Sequence, residues 1–160
     1  MKEICMKDDE SILKIPSGKD HVFGVVLPTS CVLTKDGLMD CRHRDTYYAA
    51  KHLHVDRVAA EYYNKYDARV FYLGTFQNPS KGCMRLFSFP VRDNMHDNTD
   101  ATIVARSCEQ LLSTLKKFRV DCCILPYFGE DIGLLTFANC IRPILDIMLD
   151  DTFVMIHRRG

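Results

Sequence analysis

The chain has 160 residues, with 21 basic and 21 acidic side chains and a formal net charge of zero. That length suits one domain with a substantial core and is short for two. Balanced charge argues against a nucleic-acid groove or a membrane surface as partner, and a near-neutral pI leaves self-association into homo-oligomers open.

Taken in chain order, "HVFGVVL" (His21–Leu27) reads as a strand buried on both faces and closed by Pro28. The stretch from Asp45 to Tyr66 reads as one helix, with Asp45 as N-cap and Tyr48, His52, Val55, Ala59 and Tyr62 recurring at spacings of three and four. Arg69–Phe76 and Cys83–Pro90 read as two strands joined through the turn-like "NPSKG". From Asp100 onward, Ile103, Val104, Ser107, Cys108, Leu111, Leu112, Leu115 and Phe118 trace one face of a helix that Thr99 or Asp100 would cap. "VDCCILP" reads as a fully buried strand closed by Pro126. Ala138–Leu149 reads as a second helix with Ile141, Ile144, Leu145 and Met148 inward, and Thr152–His157 as a last strand.

Strands alternating with helices predict an α/β domain over residues 1–160, with a mixed or parallel sheet covered on both faces. Ligands of such sheets bind beyond the carboxyl ends of the strands. Pro28–Asp40 and Pro126–Phe137 both follow candidate central strands, so they would face each other across one crevice if those strands are parallel neighbours. The eight cysteines, with no charged-then-apolar leader ahead of them, read as reduced thiols of a cytoplasmic protein. Cys31, Cys41 and His43 lie close in sequence, but no C-x-x-C pair supports structural zinc, so no metal is expected.

A family resemblance lies in the second half. "SFPVRDNMHDNTDATIVARSCEQL" resembles, without a gap, the F-P-T-K-x-x-W-x-x-x-S-D-x-x-x-I-x-x-S-x-x-x-L pattern of small phage and bacterial macro domains, the type often called ADP-ribose phosphate phosphatase-like. Phe89, Pro90, Asp100, Val104, Ser107 and Leu111 fall on its marked positions, while Arg92 stands for the Lys, Met95 for the Trp and Thr99 for the Ser. "PYFGEDIGLLTF" then resembles P-x-x-G-x-G-x-G-G-L-x-W through Pro126, Gly129, Gly133, Leu135 and Phe137. "LDDTFVMIHRR" is similar to the way these proteins end. Upstream, "VVLPTSCVLTKDGLMD" resembles the family's strand, T-N-G turn, lysine-containing hairpin and V-M-G loop, with Ser30 at the Asn and Cys31 at the Gly. After "KDGLM" the family continues G-x-G-I-A, where this chain has Asp40, Cys41, Arg42 and His43; the acidic "GD" that meets adenine has Asp8 and Asp9 as its nearest counterparts.

The resemblance implies a macro-domain-like, three-layer α/β/α fold with a mixed central sheet and a site for ADP-ribose-type nucleotides. In the family, backbone N–H groups of two loops hold the diphosphate and distal ribose, helped by glycines and by helix N-termini. Carried over, the ligand-binding residues are Thr29, Ser30, Cys31, Gly37 and Asp40 in the first loop. In the second they are Pro126, Tyr127, Phe128, Gly129, Asp131, Ile132, Gly133, Leu134 and Phe137. Asp131, Leu134 and Asp40 depart from glycine. A carboxylate about 4 Å from a phosphate costs ~1 kcal/mol in water and ~4 kcal/mol at a protein-surface dielectric. Arg42, His43 and Arg44 would compensate if turned inward, and otherwise form a solvated face. Cys31 is the best-placed thiol for a nucleophile, with a buried spacer as its plainer role.

The expectation is a diverged site that binds an ADP-ribose-related or other nucleotide-derived small molecule with little or no catalysis. No catalytic residue and no cofactor is assigned. The alternatives are an interaction scaffold that binds no nucleotide, and a weak hydrolase of an ADP-ribose derivative in which Ser30, or a water it holds, replaces the family's Asn.

Overall fold

Six strands form one sheet in the order β1-β6-β5-β2-β4-β3: β1 Lys2–Lys7, β2 Val22–Ser30, β3 Tyr72–Asn78, β4 Gly82–Arg92, β5 Cys122–Pro126 and β6 Phe153–Arg159. The computed structural model describes residues 1–7, 11–14, 20–78 and 82–159. Every neighbouring pair is parallel except β3 against β4, so the sheet is mixed. The helices are α1 Arg44–Leu53, α2 Val55–Lys65, α3 Ala101–Leu115, α4 Leu134–Thr136 and α5 Arg142–Met148.

Alternate side chains along the central strands enter two separate cores. Val26, Phe87, Phe89, Cys123, Leu125 and Met155 join Val104, Leu111, Phe137 and Leu145 of the later helices. Val25, Leu27, Leu86, Ile124 and Ile156 join Ala49, Val55 and Ala59 of α1 and α2. A strand places successive side chains on opposite faces, so continuous apolar strands need cover on both sides, which the α/β/α layering supplies. No helix among the described residues is long and apolar enough to cross a membrane.

Several boundaries differ from the sequence expectation. The helix expected from Asp45 to Tyr66 is broken at His54, which adopts a left-handed φ of 56° between α1 and α2. Ala49 and Val55 are both buried; in one continuous helix they would lie ~1.7 turns apart and face different ways, and the break lets both pack inward. The N-cap is His43, whose Nδ1 accepts from the Asp45 amide, so Asp45 sits inside the first turn. Pro28 does not close β2, which continues to Ser30 against β4. Its absent N–H takes nothing from the other ladder, because pairing with β5 ends at Val25. Helical structure begins at Leu134 instead of Ala138, with a π-turn over Phe137–Ile141 leading into α5. Asp100, not Thr99, caps α3 by accepting from the Ile103 amide at 3.0 Å. Strand β1 went unread because its mostly exposed side chains carry no alternating apolar signal. Of the "NPSKG" turn, 79–81 lie outside the described residues, as do Asp8 and Asp9.

Candidate functional site

β2, β4 and β5 are mutually parallel through β2, so the segments after them, 31–43, 93–100 and 127–133, gather at one edge of the sheet. The expectation that β2 and β5 are parallel neighbours holds. Side chains tie these loops together. His43 takes the Asp45 amide on Nδ1 at 3.2 Å, so its other nitrogen, Nε2, carries the proton and donates to the Tyr127 carbonyl at 2.8 Å. Arg42 donates through Nη1 to the Met95 carbonyl and places Nη2 3.7 Å from Asp131 Oδ2.

Beneath them lies a buried polar knot centred on Asp40, which is 1% exposed. Its Oδ2 accepts from Ser30 Oγ and, at 3.2 Å, from Arg92 Nη1; its Oδ1 accepts from the Arg42 amide at 2.8 Å. Thr29 Oγ1 donates to the Asp40 carbonyl at 2.8 Å. Arg92, 4% exposed at the end of β4, also sets Nη2 3.8 Å from Asp131 Oδ2. Asp131 in turn accepts from Thr99, at 2.7 Å from the amide and 2.9 Å from the hydroxyl. Burying charge is tolerable only with such pairing and hydrogen bonding. Above the knot opens a cavity of about 240 Å³ lined by Arg42, His43, Arg44, Arg92, Glu130 and Asp131.

No family model matches the chain, and no curated protein matches it significantly. Solved structures do. The macrodomain of Thermus aquaticus DarG superposes with a TM-score of 0.61 at 14% identity, over 98% of this chain and 99% of its own. A macrodomain protein from Streptomyces coelicolor gives 0.64 at 10% identity, over 99% and 100%. Thermosipho africanus DarTG in complex with ADP-ribose gives 0.62 at 8% identity, over 88% of this chain and 43% of that one. The fold is that of a macrodomain.

Within this macrodomain fold, the residues singled out by sequence divide into those at the cavity and those behind it. Asp131 lines it, and Arg42, His43 and Arg44 all turn to its wall. Thr29 and Ser30 are fully buried and their hydroxyls are directed to Asp40. Pro126 ends β5 inside the protein. Phe128 is a core residue, its ring tilted against Phe89 and edge-on to Phe137, and half-buried Tyr127 packs on Phe137 and His157. Half-buried Ile132 packs against the same core, Phe137 is buried within it, and Leu134 is 74% exposed. Gly37 has a φ of 76° in the turn where its amide donates to the Thr34 carbonyl. Gly133 has a φ of 85°, and its amide and that of Ile132 donate to the Gly129 carbonyl.

Gly129 is required by packing. A Cβ there would lie 2.5 Å from Phe137 Cδ2 and 2.6 Å from the Tyr127 hydroxyl. Gly129→Ala is expected to destabilise the fold by about 1–3 kcal/mol through overpacking, read as a lower urea midpoint.

The cysteine chemistry is quiet. Half-buried Cys31 has its pKa raised by burial, against the lowering effect of the Arg106 guanidinium 3.7 Å from its sulfur. Cys41 is pushed up to about 12 by burial, reinforced by Asp56 and Asp40. Neither is a thiolate at neutral pH, the form a nucleophile needs. Among the described residues no group of three or more His, Cys, Asp or Glu side chains is arranged to hold a metal ion.

The cavity residue that sequence reasoning did not place in the site is Arg92, read only as a replacement for a lysine. The one available signal was its position after "FPV" at the end of a strand, beside the loop edge where ligands bind.

Proposed function

We propose that this macrodomain-fold protein binds an ADP-ribose-related or other nucleotide-derived small molecule between the loops after β2 and β5, with little or no catalysis. The observation that carries this reading is the cavity itself, placed beyond the carboxyl ends of parallel strands and walled by Arg42, His43, Arg44 and Arg92. The similar Thermosipho protein holds ADP-ribose. At about 240 Å³ the cavity falls below the ~300–1,000 Å³ of ordinary ligand pockets, which favours a compact ligand or one held by a single end. We place the chain with the small phage and bacterial type on the spacing of Phe89, Pro90, Asp100, Ser107 and Leu111.

Weak or absent catalysis follows from the first loop. Ser30, at the position of the family's Asn, already donates its hydroxyl hydrogen bond to Asp40. Titration calorimetry with ADP-ribose, its phosphate and its cyclic relatives is expected to give saturable heat, and incubation with the same panel to release no phosphate or ADP-ribose. No heat at millimolar ligand rejects the reading.

A second reading, a scaffold that binds no nucleotide, draws on a specific observation. The carboxylates of Asp40 and Asp131 stand where the resemblance places glycine amides, and the amides of Ile132 and Gly133 are satisfied by the Gly129 carbonyl. It predicts silence across the whole panel.

A further inference from the structure

Strand β1 forms one edge of the sheet and pairs with β6 on one side only. Its outer edge therefore presents backbone N–H and C=O groups that no strand among the described residues takes up. Side chains leave this edge accessible: Lys2, Glu3, Ile4, Cys5 and Lys7 are all exposed, Ile4 by 48%. The two faces of β1 are fixed by its neighbours. Ile4 is in register with Ile156, and Met6 packs on the same core beneath α1 and α2. Glu3 lies on the opposite face, where its Oε1 meets Arg142 of α5 and His157. Cys5 and Lys7 share that face by alternation. Glu3 Oε2 and the Lys7 ammonium have no ion-pair partner among the described residues.

The order of side chains along β1 is self-complementary. In an antiparallel ladder, opposite residues exchange both backbone bonds or neither. Neighbouring residues of a strand alternate in this respect, so a twofold axis joining two copies of β1 must pass through a residue. Through Glu3, the axis would set that carboxylate against its own copy; through Ile4, Glu3 would face Cys5; through Met6, Lys7 would face Cys5. Through Cys5, each Glu3 faces Lys7 of the second copy, each Ile4 faces Met6, and Cys5 faces itself. Opposite charges directly across a ladder stabilise it and like charges weaken it. Among these registers, the one at Cys5 pairs the charges on one face and the apolar side chains on the other. A lysine on an edge strand ordinarily discourages pairing, but here Lys7 meets its counter-charge on a second copy of the same strand.

We propose that β1 is a homodimer interface, in which two copies pair antiparallel about a twofold axis at Cys5 and join their sheets. No residue of β1 lines the cavity, so the interface is independent of the ligand reading. The paired segment, Glu3–Lys7, is short beside the ~1,200–2,000 Å² buried in stable complexes. The dimer is therefore expected to be weak and concentration-dependent.

The test is sedimentation equilibrium of the full chain under reducing conditions, from micromolar to millimolar protein, and a monomer–dimer equilibrium is expected. Lys7→Glu sets carboxylates face to face at both symmetry-related contacts and is expected to weaken dimerisation about tenfold. Ile4→Lys places a charge on the apolar face of the same edge and is expected to weaken it too. Both positions are exposed, so the variants keep the fold. Directly opposite residues have Cα atoms ~4.5–5.5 Å apart, within the ~4.4–6.8 Å that a disulfide spans. Diamide, which takes up two electrons and two protons from a pair of thiols, is expected to link wild-type chains through Cys5. Of the two exposed cysteines, Cys140→Ser is expected to leave the link and Cys5→Ser to remove it. A monomer at every concentration overturns the proposal. So does a dimer that Lys7→Glu leaves unchanged, or a link that survives Cys5→Ser.

Discussion

Asp40→Ala is expected to cost about 3–5 kcal/mol of folding stability, because it breaks a buried ion pair from one side. Asp40 is 1% exposed, and its loss strands the Arg92 guanidinium beneath the surface with no counter-ion in hydrogen-bond range. The Ser30 hydroxyl and the Arg42 amide lose their acceptor at the same time. Asp40→Asn keeps an acceptor of the same shape and is expected to cost less. Replacing Asp40 and Arg92 together by apolar residues of similar volume is expected to restore most of the loss, since neither charge is then left alone. Urea unfolding measures this as a lowered midpoint at unchanged slope. A change below about 1 kcal/mol for Asp40→Ala is what an exposed pair would give, and would show the knot to be open to water.

Asp45→Ala is expected to have an effect of similar size, about 3–5 kcal/mol, in the first turn of α1. Asp45 is equally buried and accepts a fork from Arg158, with Nη1 to Oδ2 at 2.8 Å and Nη2 to Oδ1. Its Oδ1 also receives the Ile12 amide at 3.4 Å. One carboxylate thus fastens α1, the turn at Ile12–Lys14 and the end of β6. The measurement is a double-mutant cycle with Arg158→Ala by urea unfolding. The double variant is expected to lose clearly less than the sum of the two single ones. Simple additivity would mean that the two side chains do not interact in solution.

These two residues also mark where the sequence was and was not legible. The central strands and α3 could be read because burial leaves a periodic apolar trace, as in Val25–Leu27 or Val104, Ser107, Cys108 and Leu111. Asp100 could be read as a cap because capping is local. Asp45 misled for the same reason. It stands ahead of an apolar stripe as a cap would, but its partner Arg158 is 113 positions away and leaves no local signal. The same holds for Asp40 and Arg92, separated by 52 positions. Asp131 was read as a charge set against a phosphate; the donors that satisfy it come from Thr99, on a different loop. Gly129 was picked out for a ligand's approach, and the structure gives it a packing role against Phe137 and Tyr127. In each case the frame of the site followed from spacing along the chain, while its electrostatics depended on which loops the sheet brought together.

The most direct test of the proposed binding site is amide shift mapping of the full chain by nuclear magnetic resonance during titration with ADP-ribose. Saturable shifts are expected at Arg42, His43 and Arg44 and at Glu130 and Asp131, the two sides of the cavity. No shift at millimolar ligand, or shifts confined to the separate hollow around Leu38, Tyr47 and Lys51, would contradict it.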